Sequence, residues 1–244
     1  MVPENFVINA PVYDAMSYFG ILGMSVIVAI IWVFMLARNN RKKLIILSIS
    51  VILVMSISAY LATSGILANF KVFPPPMAIM IVGLVVISFI IGLSNFGKEI
   101  ALSLSFSSLV GLQIFRLPLE LIMHHAGNLG IMPPQLSFSG FNFDIITGTG
   151  ALIIFALIKI KKETPLKLIW LWNIWGSYCL IAIIVIAITT SPMMRLFGDD
   201  PKNLNTWVLY FPYIWLPVVL VTIAISSHII IWRKLLIKNI EVKC

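Results

Sequence analysis

Charge is scarce in this sequence. Only 11% of its residues are Asp, Glu, Lys or Arg, against 60% hydrophobic, and the mean hydropathy is +1.05. A soluble domain carries about a quarter charged residues, so an ordinary water-exposed surface is excluded. Cysteine is scarce too: Cys179 lies inside an apolar run and Cys244 ends the chain, with no metal-binding spacing and no means of bridging one another. That excludes a disulfide framework and a structural zinc site. No G-x-S-x-G, H-E-x-x-H or phosphate-loop pattern occurs. The last apolar segment has no lysine, which excludes a retinal Schiff base of the microbial-rhodopsin kind. Met1 to Phe6 lack the basic stretch of a cleavable signal, so the first apolar run is expected to stay as an uncleaved span. Internal repeats are missing as well, and with them the indication of an inverted-repeat transporter.

What is there is a series of long apolar runs. A span needs about 20 such residues, so the 244 residues have room for seven or eight spans and for no extramembrane domain. The runs predict an all-α, polytopic membrane protein, a bundle of seven transmembrane helices in a single domain over 1–244. The spans are expected at about 16–37, 44–67, 77–96, 100–125, 145–160, 166–190 and 207–232. Pro74, Pro75 and Pro76 read as a stiff outer turn.

The net charge of +8 does not point to nucleic acid once its source is located. Thirteen Lys and Arg follow spans one, three, five and seven, and three (Lys71, Arg195 and Lys202) lie on the opposite side. The positive-inside rule then puts the N-terminus outside and the C-terminus in the cytoplasm. Tyr13, Tyr18, Trp207, Tyr210 and Tyr213 suit the outer interface, and Trp170 and Trp232 the inner one. The lipid bilayer is the implied partner.

Against this background one stretch stands out. Arg116, Glu120 and His124 recur every four positions, with Gln113 at three before Arg116, so on a helix they make one polar stripe. Ionisable groups at membrane depth cost several kcal/mol unless paired, which makes the stripe a candidate functional site. Arg116 can pair with Glu120 or with Asp144. Pro118 removes a backbone N–H and frees a carbonyl near Ile114. The long connection from Ala126 to Asp144 is expected to fold over an outward-facing cavity above these residues. Asn142 or Asp144 can cap the next helix, whose N-terminus, with Thr147 and Gly148, can alternatively face Arg116 and bind an anion. The expected ligand-binding set is therefore Gln113, Arg116, Glu120, His124, Asn142, Asp144 and Thr147. Glu120, His124, His125 and Asp144 could also supply carboxylate and imidazole ligands to a divalent metal. Bis-histidine haem is not expected, because His228 is assigned to the cytoplasmic end of span seven, far from His124. Asn173, among Trp170, Trp172 and Trp175, reads as an interhelical hydrogen-bonding residue.

The pattern Phe115-Arg116-x-Pro118-x-Glu120, then Pro134-x-x-x-Phe138-x-Gly140-x-Asn142-Phe143-Asp144-Ile145-x-Thr147-Gly148, with Trp172-Asn173 and Phe211-Pro212-x-x-Trp215-Leu216-Pro217, resembles a group of uncharacterised seven-span bacterial membrane proteins. The resemblance implies a bacterial inner-membrane location and a polar constellation acting as a unit, without an activity or cofactor. Three functions remain open. The first is binding or transport of a small anionic or protonatable solute, with Arg116 as anion clamp and Glu120 as counter-ion or proton carrier. The second is a membrane-embedded, metal-dependent or acid–base enzyme at the outer face. The third is a non-catalytic sensor or assembly partner.

Overall fold

The computed structural model describes residues 10–38 and 40–241, with side chains as far as residue 238. The expectation drawn from Met1 to Phe6 and the cysteine at 244 lie outside the described residues. All regular structure among them is helical: α1 (Ala15–Ala37), α2 (Arg41–Thr63), α3 (Pro76–Leu93), α4 (Asn95–Ser103), α5 (Phe106–Leu112), α6 (Arg116–Asn128), α7 (Asp144–Lys161), α8 (Leu166–Thr189) and α9 (Thr222–Glu241), with short turns between.

The helix ends follow from local chemistry. Asp14 opens α1 by accepting from the Ser17 amide at 2.8 Å, and Asn40 opens α2 by accepting from Lys43 at 2.9 Å. Pro76 sits at the first position of α3, where a missing N–H costs nothing. Ser94 ends α3 and caps α4, and Ser105 caps α5, accepting from Gly97 and Ser108 at 3.1 and 3.0 Å. A continuous helix over 100–125 is therefore not formed. Leu104 is extended (φ −85°, ψ 146°), and residues 100–103 belong to the separate short helix α4. A 3-10 turn at Gln113–Phe115 joins α5 to α6. It falls just before Pro118, whose missing N–H leaves the Ile114 carbonyl without its helical donor.

The C-terminal segment also differs from the expected 207–232. Trp207–Leu209 is a 3-10 turn, more turns follow, and helix begins only at Leu216 as a π-turn over Leu216–Val221 that runs into α9. Pro217, near its start, has no N–H to give to a preceding turn, which suits a helix start rather than a helix interior.

Six helical segments are long and apolar enough to cross a membrane: Ala15–Ala37, Arg41–Thr63, Pro76–Leu93, Phe106–Asn128, Leu166–Thr189 and Leu216–Lys238. They make this a multi-pass membrane protein. α7 has the length of α3 but carries Asp144, Lys159 and Lys161, so it is not one of the six.

Burial separates the helices into centre and rim. In Leu216–Lys238, 72% of the apolar window is buried, and in Phe106–Asn128 61%, against 11% in Arg41–Thr63. α9 packs on α3, α4 and α8, while α6 lies between α1 and α7. On α2, Ile45, Ile49, Ile52 and Leu53 are exposed. An exposed apolar surface of this kind suits hydrocarbon contact. Basic residues late in α9 tie the centre together: Arg233 donates to the carbonyls of Gly92 and Ser94 at 2.8 and 2.6 Å, and Lys234 to that of Ala101 at 2.8 Å. These carbonyls lie at the C-terminal ends of α3 and α4, where helices leave acceptors unpaired and favour cations.

The connection between α6 and α7 folds back on the bundle. Met132 and Leu136 are buried in it, and Gln135 donates to Asn203 of the loop after α8 at 3.2 Å. Asn142 and Asp144 are thereby brought over α6.

Candidate functional site

Arg116, the first residue of α6, is 1% exposed, and each nitrogen of its guanidinium has a contact. Nε donates to Asp144 Oδ2 at 2.6 Å, Nη2 lies 2.5 Å from Asp144 Oδ1, and Nη1 lies 2.8 Å from His228 Nε2. The two contacts to Asp144 form a bidentate pair, the strongest arrangement available to these groups. Arginine can only donate, so His228 Nε2 is an acceptor and its proton is on Nδ1. Nδ1 lies 2.7 Å from Asn173 Oδ1, which accepts that proton, while Asn173 Nδ2 donates to the His228 carbonyl at 3.3 Å. The tautomer is thus fixed at both ends and the imidazole is neutral. Asp144, Arg116, His228 and Asn173 form one chain across α7, α6, α9 and α8.

Close packing holds this chain in place. Trp172 stacks on His228, with ring centroids 5.2 Å apart and planes at 30°, and donates to the Thr147 carbonyl at 2.9 Å. At Gly176 a β-carbon would fall 2.8 Å from His228 Nε2, and at Gly148 it would fall 2.8 Å from the Leu117 α-carbon. Glycine is required at both positions for the ring and for α6 to approach.

One turn along α6, Glu120 is also 1% exposed but only half satisfied. Its Oε1 accepts from Asn142 Nδ2 at 2.8 Å, and its Oε2 has no protein partner. Asn142 Nδ2 also donates to the Leu136 carbonyl at 3.1 Å, and its Oδ1 accepts from the Asp144 amide at 3.2 Å. Asn142, not the Asp144 side chain, therefore satisfies the first N–H of α7. Asp144 itself complements the helix N-terminus and the guanidinium, the place at which the sequence suggests an anionic ligand. Glu120, Arg116, Asn142 and Asp144 line a cavity of about 30 Å³, enough for about two water molecules.

The other candidates lie apart. Gln113 is buried in the turn before α6, with both amide atoms lacking a protein partner. His124 stacks on Phe138 at 4.3 Å, with its nitrogens 3.0 Å from Ser137 Oγ and 3.1 Å from Asn128 Nδ2. His125 points elsewhere, with Nε2 3.2 Å from Asp14 Oδ2. The four residues suggested as metal ligands are thus divided among separate partners. Among the described residues no three His, Cys, Asp or Glu side chains are grouped as a metal ion needs.

His228 is the residue that the sequence misplaces. A helix starting at residue 207 puts it near the cytoplasmic end, whereas Leu216–Lys238 puts it near the middle, beside Arg116. The signal that could have found it is Ser226-Ser227-His228, three consecutive polar residues inside an apolar segment, all buried.

The chain belongs to the family described as a domain of unknown function (DUF8737), which matches residues 74–236. No curated protein and no solved structure matches it. Arg116, Glu120, Asn142, Asp144, Asn173 and His228 all fall within the family region, and α1 and α2 fall outside it.

Proposed function

We propose that this is a seven-span protein of a bacterial inner membrane, N-terminus outside and C-terminus cytoplasmic, that binds or transports a small protonatable solute at Glu120. α7 is the seventh span in this reading, and the Lys and Arg distribution sets the orientation. The chain forms a single transmembrane domain, and the bilayer is its medium.

The observation that carries the reading is the charge balance of the buried cluster. Arg116 and Asp144 cancel, His228 is neutral, and Glu120 is the one remaining ionisable group, with one oxygen unpartnered. An isolated carboxylate in apolar surroundings is costly, so the group takes up a proton or a cationic partner. In this reading the arginine is not the anion clamp, since Asp144 already neutralises it and His228 takes a further donor. What Glu120 favours is a hydrogen-bond donor or an ammonium group.

The test is thermal unfolding of purified protein in the presence of methylamine, ethylamine, acetate or glucose. The amines are expected to raise the Tm of the wild type through binding to the native state, and to do nothing for Glu120→Gln. Stabilisation by acetate alone, or an amine effect that survives Glu120→Gln, would overturn the reading. Movement of protons on addition of the same amine to proteoliposomes then separates transport from binding. A Glu120→Gln variant that folds and functions as wild type in cells would leave a sensor or assembly role.

A further inference from the structure

A second, much larger cavity adjoins the polar one. It has a volume of about 400 Å³ and lies between α3, the second half of α8 and the Leu216–Val221 turn. This is the size of a small-molecule site, and nearly all its walls are aliphatic or aromatic carbon. Met123, Ile183, Leu216 and Val221 line both cavities, so a single layer of side chains separates the apolar space from Glu120. Glu120 is buried, with an oxygen that has no protein partner.

We propose that the two cavities form one site for a single-chain amphiphile with an ammonium head. The alkyl chain fills the apolar cavity, and the head reaches Glu120 past Met123 and Leu216. This rests on the proposed role of Glu120 and names the class of solute. Charge selects the head: an ammonium group neutralises the residual carboxylate, whereas a phosphate or carboxylate head would meet Glu120 as a like charge. Size selects it too, because a cavity of about 30 Å³ admits an ammonium group and not a sugar or phosphocholine. The chain alone confers little preference, since lipid tails are as apolar as the cavity walls. Specificity therefore resides in the head, and the experiment reads it.

Full-length protein in lipid nanodiscs is photolabelled with a diazirine-bearing long-chain alkylamine, and the adducts are mapped by mass spectrometry. The matching alcohol and carboxylic acid are run alongside. Adducts are expected on Ile81, Val85 and Ile184, several-fold more with the amine than with the acid, over a background on the lipid-facing Ile49 and Ile52 of α2. Val85→Trp and Ile184→Trp should each suppress the cavity adducts and leave the background unchanged, with unaltered Tm as the check on folding. Glu120→Gln should keep the cavity adducts and abolish the preference for amine over acid. Adducts no denser in the cavity than on α2, while methylamine still stabilises through Glu120, would overturn this proposal and leave the role of Glu120 intact. Cavity adducts that show no head preference in the wild type, together with no methylamine effect, would overturn both.

Discussion

Arg116 and Glu120 stand one turn apart on α6 and are equally buried, yet the bundle treats them differently. Each nitrogen of the Arg116 guanidinium contacts Asp144 or His228, and those partners are themselves held by Asn173, Trp172 and the start of α7. Glu120 receives one hydrogen bond, from an asparagine on a loop, and faces a space beside a large apolar cavity. A satisfied buried ion pair is a fixture that joins helices. A half-satisfied carboxyl beside empty volume is a place for something to bind. The spacing of the two residues suggests one unit, but their surroundings divide them into a structural end and a binding end.

The most severe way to break this comparison is to unpair the structural end. Arg116→Met leaves Asp144 buried without its cation and should cost about 3–5 kcal/mol, measured by denaturant unfolding in detergent. Adding Asp144→Leu should recover most of that loss, because an apolar pair of similar volume avoids the stranded charge. If the double variant is as unstable as the single one, Arg116 supports the bundle by some other route.

His228→Phe keeps the stacking on Trp172 but leaves Arg116 Nη1 and Asn173 Oδ1 without their partner. A loss of about 1–3 kcal/mol is expected. Asn173→Leu should cost much less in that background than alone, since the two residues share one interaction. Additive losses would show that they act separately.

Glu120→Gln sharpens the contrast. The amide retains an oxygen for Asn142, so stability should change by no more than about 1 kcal/mol, while amine binding is lost. A large destabilisation would place Glu120 with the structural end.

The smallest effect concerns the N-terminal end of α1. The Ser17 amide and hydroxyl, with His125 nearby, hold the Asp14 carboxyl below its ordinary value of 3.8. A depressed carboxyl contributes stability above its unfolded-state pKa and loses it as pH falls through the folded value. The Tm difference between wild type and Asp14→Ala should therefore shrink progressively as the pH falls below about 3.8 towards the lower, folded-state value. A difference that does not shrink at lower pH would mean that Asp14 acts through neutral hydrogen bonding or packing and not through its charge.

Much of the fold is legible in the chain because hydrocarbon leaves few options. Long apolar runs must be helices. The caps Ser94 and Ser105 are less legible, because a serine in an apolar helix can equally bond back to its own backbone, and in the fold the breaks go with the packing of α4 on α9. Likewise 207–215 reads as part of a span on hydropathy, and Trp207 is indeed deeply buried, but in a 3-10 turn and not in a membrane helix. That shift moves His228 from the end of a span to the centre of the bundle.

Spacing and composition alone show that Arg116, Glu120 and His124 share one helix, that Asn142 and Asp144 stand at the start of the next, and that apolar surface surrounds them. Tertiary structure decided which carboxylate takes the arginine, since that depends on how far α7 can approach α6, and Gly148 permits contact. It also decided that His228 and Asn173, remote in sequence, complete the pair, and that Glu120 is left with an open oxygen beside a cavity. Charge pairing in a low-dielectric interior is fixed by distances of a few ångströms between helices, and residue spacing along the chain does not encode those distances.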